Sequence, residues 1–188
     1  MKRIIAVLLA VVVCLSVAAC GQTAQQGNKG SGIDLDAALT SGKIPEIDIT
    51  LGMAVEDVHV SEEHSHQDDA VEGYSFVEGN KYSYFLNQDA FAYYKNAKKS
   101  KGISVVLSIT DAFSLKCNNF VTADDVKAAF PLVEFAESVV DDNDFVIMPY
   151  MLETAKKLTY QLGDRSAVFY LMDDQLIAVA IIDTKNWN

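Results

Sequence analysis

Two stretches of the chain, residues 82–94 and 158–170, repeat one strand-turn-strand pattern, and this constrains the fold more than any other feature. YSYFLNQDAFAYY lies over LTYQLGDRSAVFY at a constant offset of 76 residues. Tyr84/Tyr160, Leu86/Leu162 and Tyr94/Tyr170 are identical pairs, and Ser83/Thr159, Ala90/Ser166, Ala92/Val168 and Tyr93/Phe169 are alike in kind. Each block is an apolar run, a polar turn (Asn87-Gln88-Asp89 or Gly163-Asp164-Arg165) and a second apolar run, which is a hairpin signature. A further β-rich segment follows each, ISVVLSIT at 103–110 and LIAVAIID at 176–183. Upstream, residues 53–58 (MAVEDV) match 121–126 (VTADDV) at an offset of 68. Both read as helix starts, and Thr122 and Asp125 have capping-box spacing. The change of offset puts about eight extra residues into the second copy, within 130–140, where Phe135, Val139 and Val140 can share a helical face.

The fold class expected from this pattern is α+β: two repeated helix-plus-antiparallel-meander units, about 44–115 and 116–188, with the helices packed on one sheet face and the other face partly wet. Ahead of them, Leu35, Ala38 and Leu39 at i, i+3, i+4 with Gly42 as a stop predict a short helix over 34–41. Residues 44–49, IPEIDI, alternate apolar and polar with Pro45 near the start, as an edge strand or extended lead-in does.

The N-terminus reads as an export signal over residues 1–19. Lys2 and Arg3 are a positive lead, and residues 4–19 are apolar or small except for Ser16. As a helix those sixteen or so residues rise roughly 24 Å, short of the roughly 30 Å of a bilayer's hydrocarbon core, so they suit a signal core better than a spanning helix. The stretch ends in Val17-Ala18-Ala19-Cys20, which resembles the bacterial lipobox. That resemblance implies cleavage before Cys20, a lipidated Cys20, and partnership with the membrane through that lipid. The location it implies is the extracytoplasmic face of a cell membrane, with the outer membrane possible in a two-membraned bacterium. Residues 20–33 then form the lipidated Cys and a Gly/Gln/Ser-rich flexible tether with a reach of roughly 20 Å, and residues 34–188 a single globular domain. Lys2 and Arg3 would leave with the signal, taking the net charge from −11 to −13. Acids outnumber bases by 26 to 15 in the whole chain, a balance that repels phosphates, so a nucleic-acid partner is not expected. With Cys14 discarded and Cys20 alkylated, Cys117 would be the one free thiol and no intrachain disulfide could form.

Residues 49–58, ITLGMAVEDV, carry a second resemblance. They are similar to the helix start of small lipoproteins of the SmpA/OmlA outer-membrane assembly family, although Ala54 stands where Ser or Thr is usual. The tandem arrangement with a repeat near 76 residues is similar to the β-lactamase inhibitory protein family. Both resemblances imply a protein-binding platform without catalytic residues.

Three clusters are candidates for chemistry. His59, His64 and His66 lie within eight residues beside Glu62, Glu63, Asp68 and Asp69. Imidazole and carboxylate together suit a divalent metal such as Zn or Cu, the one cofactor the sequence suggests; a solvated polar loop and a pH-sensitive contact are the other readings. Five of the eight tyrosines fall between 74 and 94. Tyr82, Tyr84 and Tyr93 are candidates for an exposed aromatic interaction surface, against the alternative of half-buried core rings. The acid pairs Asp124-Asp125, Asp141-Asp142 and Asp173-Asp174 fit helix starts and turns. There is no Gly-x-Ser-x-Gly and no phosphate-binding Gly loop, so no enzyme is expected. The function these features suggest is a membrane-anchored, non-enzymatic binding module for a protein or envelope ligand, with divalent-metal binding at the histidines as the alternative.

Overall fold

The structure, a computed structural model, describes residues 34–54, 57, 75–78, 82–86, 90–95, 102–141, 144 and 155–187. The expected signal and tether, with Cys20, and the whole histidine segment lie outside the described residues.

Among the described residues, eight strands form one antiparallel sheet. The first four are β1 (Ser75–Glu78), β2 (Tyr82–Leu86), β3 (Ala90–Lys95) and β4 (Val105–Ser108). After a small hairpin of β5 (Asp111–Ala112) and β6 (Leu115–Lys116) come β7 (Ala136–Val139), β8 (Lys156–Leu162), β9 (Arg165–Met172) and β10 (Gln175–Asp183). The order across the sheet is β1-β2-β3-β4-β10-β9-β8-β7. Two runs of sequential strands therefore meet at a central seam, where Val105–Ser108 pair with Ile182–Val179.

The seam strands are buried on both faces, and their composition explains why. Val105, Val106, Leu107 and Ser108 are all buried, as are residues 178–182 of β10 and, beside it, residues 166–171 of β9. Such continuous apolar runs belong to a sheet covered on both sides, whereas a half-wet sheet reads as alternation. One face, here face one, carries Ala92, Tyr94, Val106, Leu158, Ala167, Phe169, Leu171, Val179 and Ile181. Face two carries Phe91, Tyr93, Val105, Leu107, Val168, Tyr170, Ala178, Ala180 and Ile182. A register shift between Leu176 and Ala178 in β10 lets Leu176 join face one although Ala178, two residues on, belongs to face two.

Face one is roofed by segments from different parts of the chain. Helix α1 (Leu35–Ser41) is capped by Asp34, whose side chain accepts from the N–H groups of Asp36 and Ala37 at 3.0 and 3.2 Å, and it stops at Gly42 with φ 72°. Its buried side chains Leu35, Ala38 and Leu39 join Ile44, Ile47, Ile49 and Leu51 of the following segment. That segment turns at Pro45-Glu46 and closes a bridge between Lys43 and Thr50. Helix α2 (Ala123–Ala129) begins with the capping box of Thr122 and Asp125 and buries Val126. Between these helices, Phe113, Phe130, Phe135 and Phe169 form an aromatic cluster with ring centroids 5.5 to 6.2 Å apart. Helix α3 (Thr184–Trp187) carries Trp187 to face two.

The expected pair of helix-plus-meander units with helices packed on one sheet face does not form. The described architecture is mostly antiparallel sheet, and its helices have only seven, seven and four residues. Two turns of helix hide a few apolar side chains and cannot cover an eight-stranded sheet, so irregular chain does much of that work. The helical face expected within 130–140 is absent too: Pro131-Leu132 is a turn and residues 136–139 are a strand. Here period two prevails over period 3.6, since Val133 and Phe135 are half-buried while Glu134 and Ala136 are exposed. At the expected helix start near 53, Gly52 N–H donates to Ile103 O at 2.7 Å and Ile103 N–H to Met53 O at 2.9 Å. A Cβ on Gly102 would lie 2.6 Å from Gly52 O, so glycine is what allows these two chains to approach.

Candidate functional site

Of the residues singled out by sequence, Cys20, His59, Glu62, Glu63, His64 and His66 lie outside the described residues. Tyr82 and Tyr84 occupy β2, set opposite Lys95 and Tyr93 in the β2–β3 register. Tyr93 is 5% exposed; its ring stacks near Phe91 at 6.4 Å and meets the Trp187 edge at 5.9 Å. Of the two readings offered for it, Tyr93 is therefore a core ring, buried on face two.

On that face Tyr170, Asp144 and Lys157 form a linked polar group. Tyr170 and Lys157 are directly opposed in the β8–β9 register and so share a face. The Tyr170 hydroxyl donates to Asp144 Oδ1 at 3.1 Å, while Lys157 Nζ pairs with Asp144 Oδ2. Burial, followed by the Asp144 charge, pushes the Tyr170 phenol well above its ordinary range. A phenol so held stays protonated at neutral pH; it can donate to a carboxylate but cannot serve as a base. The trio thus fastens Asp144 onto the sheet.

On the opposite face, three polar stitches bind the N-terminal segment. Arg165 Nη1 donates to the carbonyls of Leu39 and Thr40, both at 2.6 Å, placing a cation at the negative end of α1. The Tyr160 hydroxyl donates to Asp36 Oδ1 at 2.5 Å, and this hydrogen bond, then desolvation and the acid's charge, raises the phenol's pKa. Glu46 accepts from Phe113 N–H at 2.9 Å and Ser114 N–H at 2.7 Å. Phe113 and Ser114 have φ of 54° and 62°, so the carboxylate clamps a turn that left-handed, non-glycine backbone would otherwise disfavour. Cys117 is buried, and desolvation with the nearby Asp111 charge pushes its thiol up to about 12, which leaves it un-ionised and unreactive at neutral pH.

The surface offers features of another kind. Phe120, Leu132 and Val139 are exposed at 78%, 99% and 61%. Phe120 also has φ 57°, a left-handed conformation that bulky side chains avoid. Strand β7 is the end of the sheet among the described residues, and all four of its residues are exposed. Glu137 at its middle pairs with Lys127 of α2, and that bond lowers the pKa of the acid and raises that of the amine. Sequence reading missed Asp144, Lys157 and Glu46 because their partners lie 13 to 68 residues away. The only local signal was that Asp144 belongs to an acid-rich stretch.

Among the described residues, no group of three or more His, Cys, Asp or Glu is placed to hold a metal ion, and no helix is long and apolar enough to cross a membrane. No family model, curated protein or solved structure matches the chain.

Proposed function

We propose that the protein is a lipoprotein anchored at the extracytoplasmic face of a membrane, whose sheet domain is a non-enzymatic binding module for a protein or envelope ligand. The observation that carries this reading is the order of the first 33 residues: positive lead, short apolar core, Val17-Ala18-Ala19-Cys20, then a polar tether. The chemistry of the domain is consistent with it. Its buried ionisable groups are tied up in packing, with Tyr170 and Cys117 held protonated, while Phe120, Leu132 and Val139 stand exposed, as residues at a contact surface do. Labelling growing cells with an alkyne fatty acid tests the anchor. The wild-type chain takes up label and sediments with membranes, and Cys20→Ser does neither; equal labelling of both overturns the anchor. Recovery of partners from membranes by the wild-type chain, compared with Phe120→Ala and Leu132→Ala, tests the binding role.

A second reading rests on His59, His64 and His66 among their four acids. It takes these side chains as ligands for Zn or Cu from one segment of chain. Calorimetric titration that found no site tighter than roughly 10 μM would remove it.

A further inference from the structure

Phe120, Leu132 and Val139 are the large apolar side chains exposed among the described residues, and all three fall on one stretch of chain. Single exposed apolar residues are ordinary at a protein surface, but a group gathered on one side marks a contact. Phe120 precedes α2, Leu132 follows it, and Val139 ends β7, the strand whose Glu137 pairs with Lys127 of α2. The backbone holds the first two outward. Val133 N–H donates to Phe130 O at 3.0 Å, closing a turn with Pro131 and Leu132 at its tip. Leu132 is 99% exposed at a position that Gly, Asn, Asp or Ser usually occupies. At Phe120 the bonds lie to either side: Asn118 N–H donates to Leu176 O, and Leu176 N–H to Val121 O, both at 2.7 Å. With the residues around it tied to β10, the Phe120 ring projects away from the sheet.

What covers this side is indicated by where the described chain begins. Asp34 caps α1, and Asp36 in its first turn accepts from the Tyr160 hydroxyl at 2.5 Å. The Tyr160 ring lies 6.4 Å from that of Phe135, which stands between Leu132 and Val139 in the chain. The polypeptide thus enters the domain next to the exposed group. Residues 21–33 have the Gly/Gln/Ser-rich composition of a tether that reaches roughly 20 Å, and Cys20 before them is the expected lipidation site. An anchor so short keeps α2 and β7 close to the bilayer. Burying two or three apolar side chains at a membrane boundary is too weak to recruit a free domain, just as one acyl chain binds only marginally. A tether changes the balance, because the surface is then always at high local concentration. The charges favour apolar contact over recognition of anionic headgroups. Asp124, Glu134 and Asp174 are exposed around α2, and Lys127 among them is held by Glu137.

We propose, building on the lipid anchor above, that the side of the domain formed by α2 and β7 rests on the bilayer, with Phe120 and Leu132 entering the boundary between headgroups and acyl chains. The test uses the full-length, acylated chain reconstituted into phosphatidylcholine vesicles. Phe120→Cys, Leu132→Cys and, as a reference on α3 at face two, Lys185→Cys each carry one environment-sensitive fluorophore; Cys117 is buried and takes none. Nitroxide groups on the lipid acyl chains should quench the probes at 120 and 132 several-fold more than the probe at 185, and the emission of those two should shift to the blue. Adding Leu132→Asp should reduce the quenching at 120. Acyl mass on Cys20 and flotation with the vesicles report the anchor separately. Equal quenching at all three positions in a chain that floats overturns the contact and leaves the anchor standing, with a protein as what these residues meet. Quenching at 120 that Leu132→Asp does not change overturns it too. A chain with neither acyl mass nor flotation removes the anchor and the contact together.

Discussion

Phe169 and Tyr170 are neighbours on β9, both fully buried, and they face opposite sides of one sheet. Phe169 lies among Phe113, Phe130 and Phe135, held by apolar contact alone. Tyr170 keeps a hydroxyl in the interior and must satisfy it, and Asp144 with Lys157 does so. Face one thus gains its stability from area and ring packing. Face two accepts a partly buried ion pair, which adds little net stability but penalises any arrangement that leaves one member unpartnered.

Substitutions that act on one face only sharpen this contrast. Phe169→Ala should have the largest effect, a loss of about 3–5 kcal/mol in denaturant unfolding, because it empties the centre of the aromatic cluster. A loss below about 1 kcal/mol would mean that face one is loosely packed. Glu46→Gln should come next at about 1–2 kcal/mol, since a neutral amide offers only one acceptor to the two N–H groups of the Phe113-Ser114 turn. Tyr170→Phe should cost about 1 kcal/mol at pH 7 and also change the pH dependence. The folded phenol has its pKa raised above the unfolded value of 10.0, so its contribution is complete below pH 10 and is lost as pH rises toward the folded value. Wild-type stability should therefore fall on the alkaline side more steeply than that of Tyr170→Phe; parallel alkaline limbs would show that Tyr170 is not buried as described. The smallest effect is expected at Cys117. Its thiol should resist a disulfide reagent at pH 8 in the folded chain and react once denatured, and prompt reaction in the native state would contradict its burial.

The parts of the molecule legible in sequence are those specified by neighbouring residues. The hairpin turns at 163–164 and 173–174, the helix at 34–41 ended by Gly42 and the Thr122–Asp125 capping box all rest on spacings of two to four residues. The roof over the sheet was not legible, because short helices and irregular chain cover face one through contacts formed only in three dimensions. Residues 130–140 show the difficulty well. Phe135, Val139 and Val140 satisfy a helical period, but Pro131 and the alternation of Val133 and Phe135 with exposed neighbours decide for a turn and a strand. Tyr93 poses a similar difficulty. Its sequence context allowed either display or a core ring, and only the second buried face shows where the ring goes.

The stitches on the N-terminal segment bear on how the chain folds. Asp36 meets Tyr160 across 124 residues, Arg165 meets Leu39 across 126, and the central seam joins Val105 to Ile182. These links tie the beginning of the domain to its end, and no cut near the middle leaves a piece that keeps its own roof. Loops of this length make closure slow, and the order of synthesis adds a further delay. Strand β4 is made long before its seam partner β10, so the pairing at the centre of the sheet waits until most of the described domain has been synthesised.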